Sequence, residues 1–292
     1  MKQETPDRMM VAWRRHERRW KDHRYVYAVV SRRSRGISIG INLNPDKACN
    51  FNCIYCQVNR LVSATVRKVD LRMLAAELDV ILQAEKDGSL YEEHPFDVLK
   101  KKARGVRDIA ISGDGEPTIF PYFEEAVRIA AGARRRFGLD STRLILLTNA
   151  AYLNRPNVRA ALEIMDKNNG EVWAKLDAGT EEYFRKVSRS KISLDRILDN
   201  ILSAARVRPL VIQSLWFRIH DAEPPAEEIE AYCDRLNRLV LASGQIKTVQ
   251  LYTIARNPAE EHVSPLSNSE LDRIASKVKN RLPVPVEVFY SG

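Results

Sequence analysis

Asp46-Lys-Ala-Cys-Asn-Phe-Asn-Cys-Ile-Tyr-Cys-Gln57 places three of the chain's four cysteines, Cys49, Cys53 and Cys56, within eight residues. The C-x3-C-x2-C spacing lets three thiolates converge from one tight loop onto a single inorganic centre. It supplies three ligands where a closed cluster or a closed zinc site takes four. The natural reading is a centre with one open coordination position. Structural zinc is the competing account, but it wants a fourth ligand, and no His or further Cys stands nearby. A disulfide framework fails on number and placement, because four cysteines so clustered cannot staple 292 residues. Cys233, in the helix-like stretch Ala231-Tyr-Cys-Asp-Arg-Leu-Asn-Arg-Leu239, reads as a packed thiol.

Working outward, the loop follows the period-two run Ile37-Ser-Ile-Gly-Ile-Asn-Leu43 and precedes the amphipathic stretch Leu71-Arg-Met-Leu-Ala-Ala-Glu-Leu-Asp-Val-Ile-Leu82. Strand patterns recur at 108–112, 143–148, 171–176, 210–217 and 248–254. Helical patterns lie near 122–136, 157–167, 193–206, 226–243 and 268–281. This is a βα repeat of six units, the pattern of an α/β fold with a parallel sheet. Ser267-Asn-Ser-Glu270 has the spacing of a capping box at the start of the last helix. Val284-Pro-Val-Glu-Val-Phe289 reads as an extra edge strand or a packed tail, and residues 88–103 fit neither period.

Parallel βα units carry their functional loops at the carboxyl ends of the strands. The cysteine loop, Gly113-Asp-Gly-Glu-Pro117, Asn149 and Asp177 all fall at such ends and are expected to meet on one rim. On the strand at 171–176, Trp173, Lys175 and Asp177 share one face. If that face points inward, Lys175 and Asp177 line the site, as catalytic groups or as a structural ion pair. Of the neighbours Gln213 and Ser214, only one can face inward. Arg256, just past the last strand, is placed to bind a carboxylate or phosphate at the rim, or to be an ordinary surface arginine.

The charge is unevenly distributed. Residues 1–36 hold eleven Lys/Arg against four Asp/Glu, which is +7 of the formal +9. Within them, Trp13-Arg-Arg-His-Glu-Arg-Arg-Trp20 interleaves Arg14, Arg15, Arg18 and Arg19 with aromatics, a composition suited to phosphate contact and base stacking, and equally that of a solvated, partly helical arm. No apolar run approaches the length that spans a bilayer and no apolar leader follows Met1, so a cytoplasmic protein with no membrane partner is expected. The expected organisation is a basic arm at 1–36, a core at 37–260, and a helix with an extended tail at 261–292.

The motifs also carry a resemblance. Cys49-x3-Cys53-x2-Cys56 with Tyr55 before the last cysteine, then Ile111-Ser-Gly-Asp-Gly-Glu-Pro-Thr118, then Leu146-Leu-Thr-Asn149, resemble in kind and order the motifs of the radical S-adenosylmethionine (SAM) enzymes. Within that superfamily, Ser31-Arg-Arg-Ser-Arg-Gly-Ile-Ser-Ile-Gly-Ile-Asn42 and Trp173-Ala-Lys-Leu-Asp-Ala-Gly-Thr-Glu-Glu-Tyr-Phe-Arg-Lys186 are most similar to the group containing the wyosine-forming tRNA enzymes. Those enzymes bear further N-terminal cysteines for a second cluster, and residues 1–48 here contain none.

The resemblance implies a partial (β/α)6 TIM-like barrel and one 4Fe–4S cluster on the three cysteines, with an open iron that takes the amino and carboxylate groups of SAM. It implies reductive cleavage of SAM to a 5′-deoxyadenosyl radical that abstracts hydrogen from a substrate, and a one-electron reductant such as flavodoxin or ferredoxin. It further implies that Tyr55 contacts adenine through its backbone. Gly113, Asp114, Gly115 and Glu116 would cradle SAM, with Asn149 and Gln213 or Ser214 as further cofactor contacts. A strand-to-helix turn explains the glycines and Pro117 without any ligand. Transfer RNA is the first substrate choice, through the subgroup likeness and the basic arm, and a small metabolite or peptide is the second. A non-catalytic, metal-stabilised RNA-binding protein is the alternative of another class.

Overall fold

The computed structural model describes residues 20–256 and 258–291. By internal packing the described residues divide into two units: those up to 48 with 64–146 and 157–171 form the first, and 49–63, 147–156 and those from 172 onward the second. The boundary runs through strands β4 (Arg143–Thr148) and β5 (Gly170–Lys175).

In the first unit the strand order is β1 (Val26–Ser31), β2 (Gly36–Ile41), β3 (Val106–Ile111), β4. β1 and β2 form an antiparallel hairpin, and β2, β3 and β4 run parallel. Residues 26–31, expected within the basic arm, are instead a strand of the sheet. The flanking arginines dominate the charge tally, while Val26-Tyr-Ala-Val-Val30 between them is apolar and buried. The start of β1 is fixed by Glu77 of helix α1 (Leu71–Asp87), whose buried carboxylate accepts the amides of Arg24, Tyr25 and Val26 at 2.8, 2.9 and 3.0 Å. α1 begins where Asp70 accepts the Arg72 and Met73 amides and ends at Gly88, whose φ of 88° only glycine adopts freely. The stretch 88–103 resolves into three short 3-10 turns. Helices α2 (Phe123–Arg136) and α3 (Pro156–Asp166) complete the unit, apart from the first residue of α3.

The second unit continues the same grammar. β5, β6 (Leu210–Leu215), β8 (Ile246–Tyr252) and β10 (Val286–Phe289) lie side by side and parallel, while β7 (Phe217–Ile219) and β9 (Val263–Pro265) form a separate antiparallel pair. Thus the C-terminal run is a true strand, in register with β8 from Val286↔Val249 to Phe289↔Tyr252. The helices are α4 (Glu181–Ser188), α5 (Leu194–Ala205), α6 (Ala226–Leu241) and α7 (Asn268–Arg281). Thr180, Ser193 and Ser267 cap α4, α5 and α7, and Ser267 with Glu270 closes the capping box. No helix among the described residues is long and apolar enough to cross a membrane.

Candidate functional site

The cysteine loop lies in the second unit and is held by its backbone. The amides of Asn52 and Ile54 donate to the Ser188 and Val187 carbonyls at the end of α4, both at 3.0 Å. The Cys56 amide returns to the Cys53 carbonyl at 3.0 Å, and the Cys56 carbonyl accepts the Ala259 amide at 3.0 Å. Phe51 anchors the loop in the core, edge-on to Phe184.

The three cysteines form no disulfide and are partly exposed, and two donors address their sulfurs. The Phe51 amide lies 3.5 Å from Cys49 Sγ, and the Arg60 guanidinium 3.2 Å from Cys56 Sγ. Burial works against the Arg60 cation, but the Cys56 bond together with the charges of the three sulfurs outweighs it and raises its pKa. Burial pushes the Cys53 thiol up to about 12 against the relief offered by Tyr55, and Asp177 and the other two sulfurs add to the rise. Without a cation Cys53 therefore keeps its proton, which an arriving metal would displace. Among the described residues no three His, Cys, Asp or Glu gather as ligands of a single ion. A cluster takes each thiolate on a separate iron, so three thiols on one loop with donors at their sulfurs fit such a group.

Tyr55 ties this loop to β5 and β6. Its hydroxyl donates to Asp177 Oδ2 at 2.5 Å, while Asp177 Oδ1 accepts the Leu215 amide at 2.7 Å and the Lys175 ammonium at 2.8 Å. Lys175 also donates to the Tyr252 hydroxyl at 2.5 Å. Burial alone would depress the Lys175 pKa, yet Asp177 and Tyr252 together hold it above its ordinary value. Burial, then Asp177, holds the Tyr55 phenol well above the usual range. Lys175 and Asp177 are thus brought together as an ion pair with both carboxylate oxygens engaged, an arrangement that positions Tyr55.

Asn149, at the end of β4, donates to Asn50 Oδ1 at 2.8 Å and accepts the Ala151 amide at 3.1 Å. Gln213 and Ser214 divide as period two requires. Ser214 faces α6, with its hydroxyl 2.6 Å from that of Tyr232, whereas Gln213 donates to Gln250 at 2.7 Å and keeps a buried Oε1 without a protein partner. Both are fully buried. Arg256 lies beside the loop, its carbonyl 3.4 Å from Gln57 Nε2.

Gly113 to Glu116 belong to the first unit. A Cβ on Gly113 would fall 2.1 Å from Asn42 Oδ1, and one on Gly115 would fall 1.8 Å from the Ala48 carbonyl. What the missing side chains make room for is the chain itself. Asp114 accepts Asn42 Nδ2 at 2.7 Å. Glu116 is buried and accepts the amide and hydroxyl of Thr118, capping the turn Pro117–Ile119. The Glu116 amide donates to the carbonyl of Ala48, the residue before Cys49. Arg14, Arg15, Arg18 and Arg19 lie outside the described residues.

Comparison with known proteins decides the family. Residues 43–216, more than half of the chain, match the sequence profile of the Radical SAM superfamily. The chain belongs to the radical SAM superfamily. Membership makes it an enzyme and implies a 4Fe–4S cluster and SAM. Among radical SAM neighbours of known structure, TYW1 with a lysine–pyruvate adduct bound aligns at a TM-score of 0.52 and 17% identity, covering 85% of this chain and 74% of that one. That likeness is one of fold, the partial α/β barrel of radical SAM enzymes. Curated relatives were also found. A UPF0026 protein of Helicobacter pylori is 27% identical over 252 residues, 84% of this chain and 71% of that protein. A protein of Brachyspira hyodysenteriae named GTPase Obg is 23% identical over 289 residues, 98% of this chain but only 38% of its own length.

Two residues beside the radical SAM motifs escaped sequence reasoning. Arg60 sits four positions past Cys56, a spacing that offers a cation to the last thiol. Tyr252 ends its strand as Lys175 ends β5, and the shared edge is the one signal that pairs them.

Proposed function

We propose that the chain cleaves SAM reductively at one 4Fe–4S cluster held by Cys49, Cys53 and Cys56, generating a 5′-deoxyadenosyl radical that abstracts hydrogen from tRNA. The observation that carries the chemistry is the cysteine loop, with three thiols in eight residues, a backbone pinned to α4, and an amide and a guanidinium at two of the sulfurs. When bound, the cluster supplies one electron and an open iron for the amino and carboxylate groups of SAM. The remaining work falls to the chain. Asp177, anchored by the Leu215 amide and neutralised by Lys175, fixes the Tyr55 ring and with it the backbone beside Cys56. Lys175, held as an ammonium, orients that carboxylate and is not a nucleophile. Asn149 steadies the loop through Asn50, and the buried, unpartnered oxygen of Gln213 is an acceptor available to a cofactor hydroxyl. Arg60 offsets the negative charge of the loaded loop.

Two features support tRNA as substrate: the likeness to the TYW1 group and the basic, aromatic-interleaved composition of residues 13–20. Flavodoxin or ferredoxin in the cytoplasm would supply the electron.

The test is anaerobic reconstitution followed by SAM and dithionite, with Cys49→Ala/Cys53→Ala/Cys56→Ala alongside. 5′-Deoxyadenosine from the wild type alone is the expected result, with a mass change on a tRNA pool identifying the substrate. A protein that folds but takes up no iron would overturn the chemistry, and product formation insensitive to tRNA would overturn the substrate.

A further inference from the structure

The second unit contains a basic cavity that no radical SAM motif touches. It has a volume of about 460 Å³ and is lined by Ala151, Tyr152, Asn154, Arg155, Pro156, Ile192 and Arg196. No acidic residue lines it. The Arg155 guanidinium lies 3.4 Å from the centroid of the Tyr152 ring, so cation and aromatic face form one platform.

The surroundings leave this charge unneutralised. Several other arginines of this unit are matched to carboxylates: Arg185 to Glu181, Arg189 to Glu260, Arg218 to Glu270, Arg273 to Glu223 and Arg281 to Glu230. Arg155 and Arg196 pair with no carboxylate among the described residues. Even Asp195, next to Arg196 in sequence, is engaged by Arg235 at 3.1 Å. Two unneutralised guanidiniums on one cavity without an acid make an anion receptor, and guanidinium geometry suits phosphate best.

Both walls of the cavity are bonded to the cysteine loop. One wall begins at Ala151, whose amide donates to Asn149 while Asn149 donates to Asn50, the neighbour of Cys49. The other begins at Val187 and Ser188, which accept the Ile54 and Asn52 amides, and reaches Ile192 four residues later. Asn200 joins the walls, donating from α5 to the Ala150 and Ala151 carbonyls at 3.0 and 2.8 Å. An anion seated here is held on the same rigid framework that carries the cluster ligands.

We infer that this cavity is a phosphate subsite for the nucleic-acid substrate: Arg155 and Arg196 receive a backbone phosphodiester, and the Tyr152–Arg155 platform stacks an adjoining base in a single-stranded segment. The inference rests on the tRNA reading above.

Binding of a fluorescently labelled tRNA pool to the full-length protein, followed by anisotropy from 50 to 300 mM KCl, tests it. Arg155→Ala/Arg196→Ala should weaken binding on the order of tenfold at the low end of this range. It should also flatten the plot of log affinity against log salt by roughly 0.7, the increment for one single-strand phosphate that is no longer neutralised. Arg155→Lys/Arg196→Lys should keep most of the salt slope and lose part of the affinity, and both variants should melt with the wild type because these side chains are exposed. Salt-dependent tRNA binding by the wild type with unchanged affinity and slope in the alanine variant would overturn the subsite and leave the tRNA reading standing. Wild-type protein with no salt-dependent tRNA affinity would overturn both.

Discussion

Removing the carboxylate of Asp177 strands three partners together. In Asp177→Ala the Leu215 amide and the Tyr55 hydroxyl lose their acceptor. The Lys175 ammonium, 18% exposed, loses its counter-charge and keeps the Tyr252 hydroxyl and its contacts with the Tyr55 and Tyr252 rings. Breaking a buried pair from one side costs about 3–5 kcal/mol, and each orphaned buried donor costs about 1–3 kcal/mol unless water reaches it. A loss on the order of 4–5 kcal/mol is expected, read by urea denaturation of the apoprotein. At about 2 °C per kcal/mol for a chain of this size, the thermal midpoint should fall by roughly 8–10 °C. Lys175→Met placed on top of Asp177→Ala removes the orphaned charge and should restore about 2 kcal/mol. The pH dependence has a definite sign. Lys175 is held above its ordinary pKa, so its contribution is complete below the unfolded lysine value of about 10.4 and fades as pH rises through the folded value. The gap between wild type and Asp177→Ala should therefore narrow in strong alkali. A double variant no more stable than Asp177→Ala would refute the reasoning.

Three further outcomes are expected. Gly115→Ala puts a Cβ 1.8 Å from the Ala48 carbonyl and should cost about 1–3 kcal/mol while displacing Cys49; a variant with wild-type stability and iron content would show that the turn yields freely. Arg60→Met removes a charged donor from Cys56 Sγ and should retain the cluster but shift its reduction potential to more negative values; an unchanged potential in a redox titration followed by electron paramagnetic resonance would exclude the contact. Tyr232→Phe and Ser214→Ala each leave a buried hydroxyl without its partner and should cost about 1–2 kcal/mol, whereas the double variant should cost less than their sum. Strict additivity in urea melts would count against a coupled pair.

Most of the fold was legible because it rests on local period. Five of the seven helices among the described residues follow their patterns to within two residues at both ends, because caps such as Ser193 and Ser267 are themselves sequence signals. α1 matches its pattern at the start but runs five residues further, to the Gly88 cap. α4 went unrecognised although Thr180, the acids Glu181 and Glu182, and the bases Arg185 and Lys186 mark both its ends; at eight residues it is too short to show a clear apolar stripe. In the site, the cysteine spacing and the opposite facing of Gln213 and Ser214 could be read directly. The partners of Gly113, Gly115 and Glu116 could not. Asn42 and Ala48 approach from some seventy residues away, and Thr118 competes for Glu116 in a way that spacing does not reveal. Arg60 and Tyr252 likewise owe their roles to tertiary approach.

The pinning of the cysteine loop on the end of α4 has a consequence in time. A helix ends with carbonyls that lack partners of their own, and the Asn52 and Ile54 amides take up those of Ser188 and Val187. Residues 46–57 alone are therefore an incomplete receptacle, since the surface that shapes them is translated more than 120 residues later. Iron delivered to the nascent chain before Ser188 emerges would meet thiols on a loop without its frame. On the cluster site proposed above, insertion is expected to follow the folding of α4, and slowed amide exchange at Asn52 and Ile54 would mark the moment at which the chain becomes competent to receive it.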